Sequence, residues 1–424
     1  MRFQKRNFPY SKPLANSIKK TSIYHFINNM KKSISIIGSG PSALLLAAFL
    51  DIKKFDVTIY EKNKTAGRKL LVAGKGGFNL THSEPILDFI ERYTPNDVLK
   101  NALLKFTNDD FRNWLQSIGI PTYIGSSKRI YPEEGIKPIT VLNTILNHLK
   151  EKGIVFKYEH TFSGWDVESN LIINDKIIHS DYTAFSLGGA SWKITGSDGS
   201  WLETFQEKGI KTLPFEASNC AFKIDWNPEF IKQNEGNPLK NIAISCADKT
   251  QKGEAVITKF GIEGNAIYAL SPQIRAQLKS EEKAMVYIDF KPTFSLEDVN
   301  NKIVNSSFKN TTQILKKGLK LSTSQIDLLK IYLSKEDYLN AAVLSKNIKN
   351  FPLEITDLGK LNAAISTVGG IDINAVDTHF QLDKIPNQFC IGEMLNWDAP
   401  TGGYLIQGCA SSGVYLAKHI NKNL

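Results

Sequence analysis

Residues 31–61 read KKSISIIGSGPSALLLAAFLDIKKFDVTIYE, and this stretch decides the fold. A β-branched run at 33–37 meets a glycine-rich turn. An apolar helical run then continues to Leu50, and a second strand-like run at 57–60 ends on Glu61. Together these segments form a complete βαβ unit with the pattern G-x-G-x-x-A in its first turn. The pattern predicts an α/β fold with a Rossmann-like dinucleotide-binding domain.

The residues of this turn have the chemistry that phosphate binding requires. Gly38 permits a sharp turn, Gly40 lets a pyrophosphate approach the backbone, and Ala43 allows the helix to pack closely on the strand. Pro41 and Ser42 open the helix, whose free N–H groups and positive dipole end attract phosphates. We therefore predict that all five residues contact the cofactor.

An acidic residue closes the βαβ unit. Glu61 lies 18 residues beyond Ala43, where a carboxylate accepts both hydroxyls of an adenosine ribose. A carboxylate here repels a 2′-phosphate, so FAD or NAD fits better than NADP. The alternative is a glycine-rich turn in an ordinary α/β protein. That alternative does not explain why an acid, Glu61, stands at the end of the second strand.

Composition and charge exclude several classes of protein. The chain has 424 residues, of which 42% are hydrophobic and 22% charged, as in soluble globular proteins of two or three domains. No apolar run approaches the roughly 20 residues that cross a bilayer, so we expect no membrane segment. The formal charge is +10, but residues 1–32 carry eight cations and no acid, which leaves 44 cations against 42 acids elsewhere. The basicity belongs mostly to the first residues, not to a binding face.

The first 30 residues are expected to be a disordered basic tail, or to lie upstream of a true start at Met30. They somewhat resemble an organelle transit peptide as well. The four cysteines form no C-x-x-C and the seven histidines no H-x-x-x-H, so we predict neither a redox disulfide nor a metal site. Scattered free thiols suit a reducing compartment, and we expect a cytoplasmic protein.

A loop rich in glycine and cations, residues 62–84, follows Glu61. A loop in this place runs along the extended cofactor toward its reactive end, although the alternative is that its cations only keep the surface soluble. The predicted cofactor contacts in this loop are Lys62, Gly67, Arg68, Lys69, Gly74, Gly76, Asn79 and Thr81.

The same loop carries a resemblance to a known family. Its sequence GRKLLVAGKGGFNLTHSE resembles the signature G-R-K-L-L-x-S-G-G-G-R-C-N-x-T-N of the HI0933-like (YhiN-type) NAD(P)/FAD-dependent oxidoreductases. Gly77 and Phe78 replace the family's Arg and Cys, so the roles of those two residues do not carry over. His82 replaces a family Asn and marks a variant branch with G-K-G-G-x-N-L-T-H-S. We select His82 and Lys69 as the candidate catalytic residues.

Two later segments extend the resemblance. Residues 182–190, YTAFSLGGA, resemble a strand that ends in A-T-G-G, which predicts a cofactor contact at Gly188. Residues 392–407 resemble G-E-x-L-D-x-x-x-x-T-G-G-Y-N-x-Q, in which the acid, here Glu393, holds the ribityl chain. A helix that opens at Gly402 and Gly403, within this motif, would direct its positive end at the N1–C2=O2 edge of a flavin. The predicted contacts are Gly392, Glu393, Thr401, Gly402, Gly403 and Tyr404.

These segments imply a discontinuous FAD-binding domain of the glutathione-reductase superfamily type, residues 31–200 and 359–424. Residues 201–294 read as an inserted β-rich domain with short strands such as 256–260, 267–270 and 286–290. Residues 295–358 read as a helical subdomain. We expect both inserts to cover the flavin and to shape a pocket for a small-molecule substrate.

The sequence thus predicts an FAD-dependent oxidoreductase that transfers a hydride through flavin N5 to or from an unidentified small organic substrate. No second G-x-G-x-x-G follows, so NADH or NADPH would dock only transiently. The alternative is a flavoprotein that binds or modifies nucleic acid such as tRNA, as the pI of about 9.1 suggests. The nearly neutral core makes this alternative the weaker one. A flavin-bound protein without turnover is a third possibility, and the sequence predicts no oligomeric state.

Overall fold

The protein is described by a computed structural model that covers residues 1, 31–72 and 77–423. The expectation for the basic tail falls on residues 2–30, outside these ranges. The predicted cofactor contacts at Gly74 and Gly76 also lie outside the described residues. No described helix is both long enough and apolar enough to cross a membrane.

The first half of the chain alternates strands and helices. Its elements are β1 Lys32–Ile37, α1 Pro41–Phe49, β2 Phe55–Glu61, α2 Arg68–Val72, β3 Thr81–His82, α3 Ile86–Ile90, α4 Lys100–Lys105, α5 Asn108–Ser117, β4 Thr122–Ile124, β5 Arg129–Pro132, α6 Pro138–Glu151, β6 Val155–Tyr158, β7 Phe162–Trp165, β8 Leu171–Ile173, β9 Lys176–Ile178, β10 Tyr182–Phe185 and α7 Trp201–Glu207.

The middle region is β-rich at first, then helical, and returns to strands. Its elements are β11 Thr212–Ser218, β12 Phe222–Lys223, α8 Pro228–Asn234, β13 Pro238–Cys246, β14 Lys249–Ile257, β15 Gly261–Glu263, α9 Asn265–Tyr268, α10 Ser271–Glu281, β16 Ala284–Asp289, α11 Leu296–Val304, α12 Thr311–Gln313, a π-helical turn Ile314–Gly318, α13 Thr323–Tyr332, α14 Lys335–Leu339, α15 Ala341–Lys349, β17 Phe351–Ile355 and β18 Asp357–Leu358. The chain ends with β19 Ser366–Ile371, β20 Gln388–Cys390 and α16 Tyr404–Asn423.

The first core is built on a five-stranded sheet in the order β20-β10-β1-β2-β6, and every neighbouring pair in it is parallel. A parallel sheet needs cover on its faces, and α1 supplies it with buried residues along nearly its whole length. The carboxyl ends of β1, β10 and β20 lie side by side. Ligands of open α/β sheets bind at this edge.

The C-terminal helix α16 crosses α1 at very short range. A Cβ atom at Gly413 would lie 2.3 Å from the carbonyl oxygen of Ser42 and 2.9 Å from the backbone nitrogen of Leu46. No side chain other than hydrogen fits between the two helices. The crossing therefore holds α16, although it comes last in the sequence, against the helix of the first βαβ unit.

The second core belongs to the middle region, from about residue 217 to residue 364. Its sheet has the order β17-β16-β13-β14-β15-β12-β18. Strands β17 and β18 follow the helical segment in sequence, and β17 pairs antiparallel with β16. The sheet therefore takes strands from both of the segments that the sequence divided at residue 294. The domain boundaries themselves stay a prediction.

The strand predicted at 267–270 is wrong, because the chain there forms the short helix Asn265–Tyr268. Gly264 precedes it with φ +112°, a backbone conformation that ends the preceding strand. Ala266 and Ile267 point into the second core. A run of four apolar residues does not separate a buried strand from a buried helix.

A buried ion pair and a two-stranded ribbon join the two cores. The ribbon pairs β11 with β19. Beside it, Arg275 of α10 donates to the carboxylate of Asp398 at 2.5 Å, and these side chains are 8% and 3% exposed. The hydroxyl of Ser218 donates to the same carboxylate, at 2.7 and 2.8 Å to its two oxygens. This network fixes the segment that leads into α16 against the middle region.

Candidate functional site

A groove of about 420 Å³ follows the edge of the parallel sheet, and we call it the nucleotide groove. It is lined by the β1–α1 turn, the end of β2, and residues 195–197. Gly38 has φ +100°, and a Cβ atom there would lie 2.3 Å from the carbonyl oxygen of Ser186. The protein itself therefore requires glycine at position 38.

Gly40 differs from Gly38 in a way that bears on the cofactor. Its φ is −75°, which any residue adopts, and a Cβ atom would meet no protein atom within 4 Å. Neither the backbone nor the packing explains a glycine here. A group outside the protein that approaches the backbone closely does explain it, as the pyrophosphate of a dinucleotide would.

Helix α1 starts beside Gly40. Pro41 is its first residue, and no acid occupies its first turn. Ser42 and Ala43 are buried, and the Ser42 hydroxyl shares a hydrogen bond of 2.6 Å with Ser186. The free N–H groups and the positive end of α1 thus point at the groove, which suits a phosphate.

The carboxylate of Glu61 forms the far wall of the groove and is 8% exposed. The backbone and side-chain N–H groups of Asn63 donate to its Oε1 at 2.8 and 2.7 Å. The hydroxyl of Ser39 donates to its Oε2 at 2.5 Å. Both lone pairs of Oε1 are thus engaged, whereas Oε2 keeps one, so the carboxylate is oriented and can still accept a ribose hydroxyl through Oε2.

Four predicted residues of the 62–84 loop line the groove, namely Lys62, Gly67, Arg68 and Lys69, and the three cations among them donate hydrogen bonds to protein atoms. Lys62 is paired with Asp198 at 2.9 Å. Arg68 donates to the side chain of Asn63 and to the carbonyl of Ile194, both at 2.8 Å. Arg68 therefore supports the residue that orients Glu61. Gly188 also lines the groove.

The ion pair between Lys69 and Glu393 lies where the nucleotide groove meets a second cavity. The Lys69 ammonium donates to Glu393 at 3.0 Å and to the Ser197 hydroxyl at 3.4 Å. Both members of the pair line both cavities. Gly392, next to Glu393, packs against the Ser42 side chain. This position suits the ribityl and pyrophosphate part of an extended dinucleotide.

The second cavity, of about 360 Å³, is named here the helix-end cavity, because residues 401–403 and 405–406 at the start of α16 line it. Asn79 lies on its wall. Thr81 is fully buried behind it, and a Cβ atom at Gly403 would lie 2.5 Å from the Thr81 backbone. The positive end of a 20-residue helix thus meets this cavity, where it favours negative charge on a bound group.

A third and wider space, the polar cleft, has a volume of about 970 Å³ and lies between the two cores. It shares lining residues with the helix-end cavity, so the two spaces join. The shared residues are Arg129, Asn265, Tyr268, Thr401 and Gly402. A substrate that enters through the cleft therefore reaches the same point as a cofactor that extends along the groove.

His82 lies in the polar cleft, whereas Lys69 lies in the groove, so the structure does not bring the two catalytic candidates into one cavity. The His82 ring stacks on Tyr404 with centroids 5.3 Å apart. Its Nδ1 accepts the backbone N–H of Glu84 at 3.2 Å. Burial lowers the pKa of His82. The imidazole is therefore neutral at physiological pH and acts as an acceptor in this geometry.

A hydrogen-bonded cluster surrounds the buried side chain of Tyr404. Its hydroxyl donates to Glu84 at 2.6 Å, and Arg92 donates to the same carboxylate at 2.9 and 3.1 Å. Burial opposes ionisation of Glu84, but Arg92 and Tyr404 outweigh it and lower the pKa of this carboxyl. Burial, together with Glu84, raises the pKa of Tyr404. The cluster fixes the first residue of α16, and Glu84 accepts the hydrogen bond of the Tyr404 hydroxyl.

Sequence reasoning missed Arg129, Asn265 and Tyr268, which stand where the two spaces join. The alternation of β5 offered one signal, since Ile130 and Pro132 are buried and Arg129 faces the other side. Burial raises the pKa of Tyr268 to about 12. Nothing in the local sequence indicated the two residues of α9. The strand predicted at 267–270 included Tyr268, and no role was predicted for Asn265.

Comparison with known proteins shows which family this chain belongs to. The profile of the HI0933-like protein Rossmann domain family matches residues 32–419. This chain belongs to the HI0933-like family. Membership confirms the predicted Rossmann-like FAD-binding fold and the cofactor FAD. The protein is an FAD-binding flavoprotein of the oxidoreductase class.

Individual relatives of this HI0933-like protein are distant but span nearly its whole length. The ribosomal RNA dihydrouridine synthase of Haemophilus influenzae is 25% identical over 403 residues, 91% of this chain and 98% of the relative. The 3-dehydro-bile acid delta(4,6)-reductase of Clostridium scindens is 24% identical over 410 residues, with 91% and 97% covered. Among solved structures, the 3-ketosteroid-delta4-(5alpha)-dehydrogenase of Rhodococcus jostii is 12% identical and covers 93% of this chain and 98% of its own, with a TM-score of 0.49.

Proposed function

We propose that this protein uses FAD to reduce an electron-poor carbon–carbon double bond of a substrate that enters through the polar cleft. The observation that carries this proposal is the continuity of the three spaces. The nucleotide groove opens at Lys69 and Glu393 into the helix-end cavity, and that cavity opens at Arg129 and Tyr268 into the cleft.

The residues present fit an extended FAD. The groove would hold its adenosine and pyrophosphate through Gly40, the start of α1 and Glu61. Lys69 and Glu393 would hold the ribityl chain, and the helix-end cavity would hold the flavin ring. When bound there, FAD supplies two-electron hydride chemistry. The positive end of α16 stabilises the negative charge of the reduced form.

The direction of transfer is inferred from the curated relatives. One is named for the synthesis of dihydrouridine, which is uridine saturated at its C5=C6 bond. Another is named a delta(4,6)-reductase. In both names the product is a saturated carbon–carbon bond. We therefore propose reduction, with a hydride to one carbon and a proton to its neighbour.

We further propose NADH or NADPH as the source of electrons. No second dinucleotide-binding βαβ unit occurs within residues 31–72 and 77–423. The nicotinamide would thus have to reach the flavin through the polar cleft and leave before the substrate enters. Since the four described cysteines are free and buried, we place this chemistry in a reducing compartment such as the cytoplasm.

A uracil base in RNA is the second candidate substrate, beside a small unsaturated compound. The polar rim of the cleft favours it, because Lys240, Lys249 and Lys252 of the β13–β14 hairpin are exposed there. Lysines at such a rim would contact phosphates. Three exposed carboxylates at the same cleft, those of Glu91, Asp248 and Glu254, balance the charge of these three lysines, so we expect such binding to be weak and salt-dependent.

The proposal is tested with the purified holoprotein under anaerobic conditions. NADH and NADPH are added in turn, and we expect one of them to bleach the flavin absorbance. The reduced protein is then mixed with an unmodified uridine-containing rRNA transcript or with an unsaturated 3-ketosteroid acid. Reoxidation of the flavin, with a gain of two hydrogens in the product by mass spectrometry, supports the proposal and names the substrate class.

A matched variant separates the two candidates. The triple substitution Lys240→Gln, Lys249→Gln and Lys252→Gln is expected to weaken reaction with RNA and to leave reaction with the small compound unchanged. Flavin that no unsaturated acceptor reoxidises, while an amine or alcohol donor reduces it, would contradict the reductase proposal.

A further inference from the structure

Arg129 occupies the point at which the helix-end cavity opens into the polar cleft. It is the first residue of β5 and lies opposite His82 in the antiparallel pair of β5 with β3. Residues that are directly opposite in such a pair project to the same face, so both side chains face the cleft. The guanidinium approaches the start of α16, with Nε 3.3 Å from the position that a Cβ atom of Gly402 would take.

Arg129 differs from the other described arginines in its hydrogen-bond and ion-pair partners. Four arginines in residues 31–72 and 77–423 donate hydrogen bonds to carboxylate, amide, hydroxyl or carbonyl oxygens; these are Arg68, Arg92, Arg112 and Arg275. Arg129 makes no ion pair or side-chain hydrogen bond with any described residue, although it is half-buried. Half-buried donors without partners among the described residues are suited to an acceptor on a ligand.

We propose that Arg129 binds the carbonyl oxygen of the substrate and stabilises the negative charge that develops there during reduction. This inference rests on the proposed reductase function and adds a residue to it. A double bond accepts a hydride readily when it is conjugated to a carbonyl group. As the hydride bonds to the β-carbon, the π electrons move to the carbonyl oxygen, and the resulting enolate takes a proton from water at its α-carbon.

The position of Arg129 suits this role better than a structural one. Donors aimed at the atom where charge develops lower the barrier most when they are already in place and partly shielded from water. A planar guanidinium also stays charged at every physiological pH and holds its N–H groups in a fixed arrangement, so a charged donor is already in place for the oxygen. The other side chains at the junction are uncharged at neutral pH, since Asn265 is an amide and burial holds the pKa of Tyr268 at about 12.

The competing assignment is that Arg129 acts on the flavin itself. The N-terminus of α16 already supplies positive charge to the helix-end cavity. If Arg129 added to that charge, its removal would lower the reduction potential of the flavin. If Arg129 serves the substrate, the potential would stay unchanged and only the binding of oxygen anions in front of the flavin would be affected.

The experiment uses 4-chlorophenol as a probe, because a phenolate carries its charge on an oxygen conjugated to a planar ring, as an enolate does. Oxidised holoprotein is titrated with the probe, and the long-wavelength charge-transfer absorbance of a phenolate stacked on flavin is followed. We expect the phenolate form to bind to the unsubstituted protein. Arg129→Gln is expected to weaken that binding about 10- to 100-fold, the effect of removing one charge-assisted hydrogen-bond partner.

Two further variants and one further measurement make the result specific. Arg129→Lys should recover part of the binding, because it keeps the charge without the fork of donors. Lys128→Gln removes the same charge from the adjacent exposed residue and should leave binding unchanged. The flavin content and the two-electron reduction potential of Arg129→Gln should match those of the unsubstituted protein.

The inference is overturned if Arg129→Gln binds the phenolate as tightly as the unsubstituted protein, if the unsubstituted protein binds no phenolate, or if the potential falls in the variant. Failure of the proposed function gives a different pattern. In that case the phenolate still binds through Arg129, but no unsaturated compound reoxidises the reduced flavin.

Discussion

Replacing each of the two glycines of the β1–α1 turn by alanine should separate the requirements of the fold from those of the cofactor. Gly38→Ala puts a methyl group 2.3 Å from the Ser186 carbonyl oxygen at φ +100°. The left-handed backbone costs about 1–2 kcal/mol, and the overlap adds about 1–3 kcal/mol. We expect Gly38→Ala to lose about 2–5 kcal/mol of unfolding free energy.

Gly40→Ala should behave in the opposite way. Its φ of −75° suits alanine, and the new methyl group meets no protein atom within 4 Å. The loss of glycine at the N-cap and the restriction of the unfolded chain nearly cancel, so stability should change by less than about 1 kcal/mol. The methyl group does project into the nucleotide groove. We expect the affinity for FAD to fall at least about tenfold, or about 1.4 kcal/mol.

Two assays on the FAD-free protein measure these effects. Urea unfolding followed by tryptophan fluorescence gives the stability of each variant, and quenching of flavin fluorescence gives its affinity for FAD. The reasoning is refuted if Gly40→Ala binds FAD as tightly as the unsubstituted protein. It is also refuted if Gly38→Ala is as stable as Gly40→Ala, since the geometry at Ser186 forbids that.

Three further predictions concern other parts of the site. Glu61→Gln should weaken FAD binding about tenfold by fluorescence titration, because the ribose loses a charged acceptor. The exposed Glu159→Gln is its control, and equal affinities would contradict the role of Glu61. Arg275→Met should cost about 3–5 kcal/mol in urea unfolding, since it leaves the Asp398 carboxylate buried without its cation. The double variant Arg275→Met with Asp398→Asn should recover most of that loss, and no recovery would show that packing, not charge, is responsible. Burial lowers the pKa of His82 below the value of about 6.5 in the unfolded chain, so the unfolded state binds more protons as the pH falls. The contribution of neutral His82 to the free energy of unfolding is thus present above about pH 6.5 and is lost on acidification. Between about pH 7.5 and pH 5.5, the free energy of unfolding of His82→Gln should therefore fall less than that of the unsubstituted protein. Parallel losses in the two proteins would mean that His82 is not the group that titrates.

The amino-acid sequence by itself determined the FAD-binding unit. Gly38, Gly40 and Glu61 lie within one βαβ segment, where a tight turn, a helix start and a terminal acid are all local properties of contiguous residues. The start of α16 after Gly402 and Gly403 was predictable for the same reason. Each of these features depends on backbone conformation or on periodicity within a few turns of the chain.

Only the tertiary structure decided which side chains stand where the helix-end cavity joins the polar cleft. Arg129 meets Tyr268 and Gly402 at the junction of the two cavities, although the three are separated by more than a hundred residues. Their meeting depends on the register of β5 against β3 and on the docking of the second core, which the buried pair of Arg275 and Asp398 fixes. Contacts of this kind depend on packing between distant segments, and no local pattern of residues encodes which distant side chain will fill a given space.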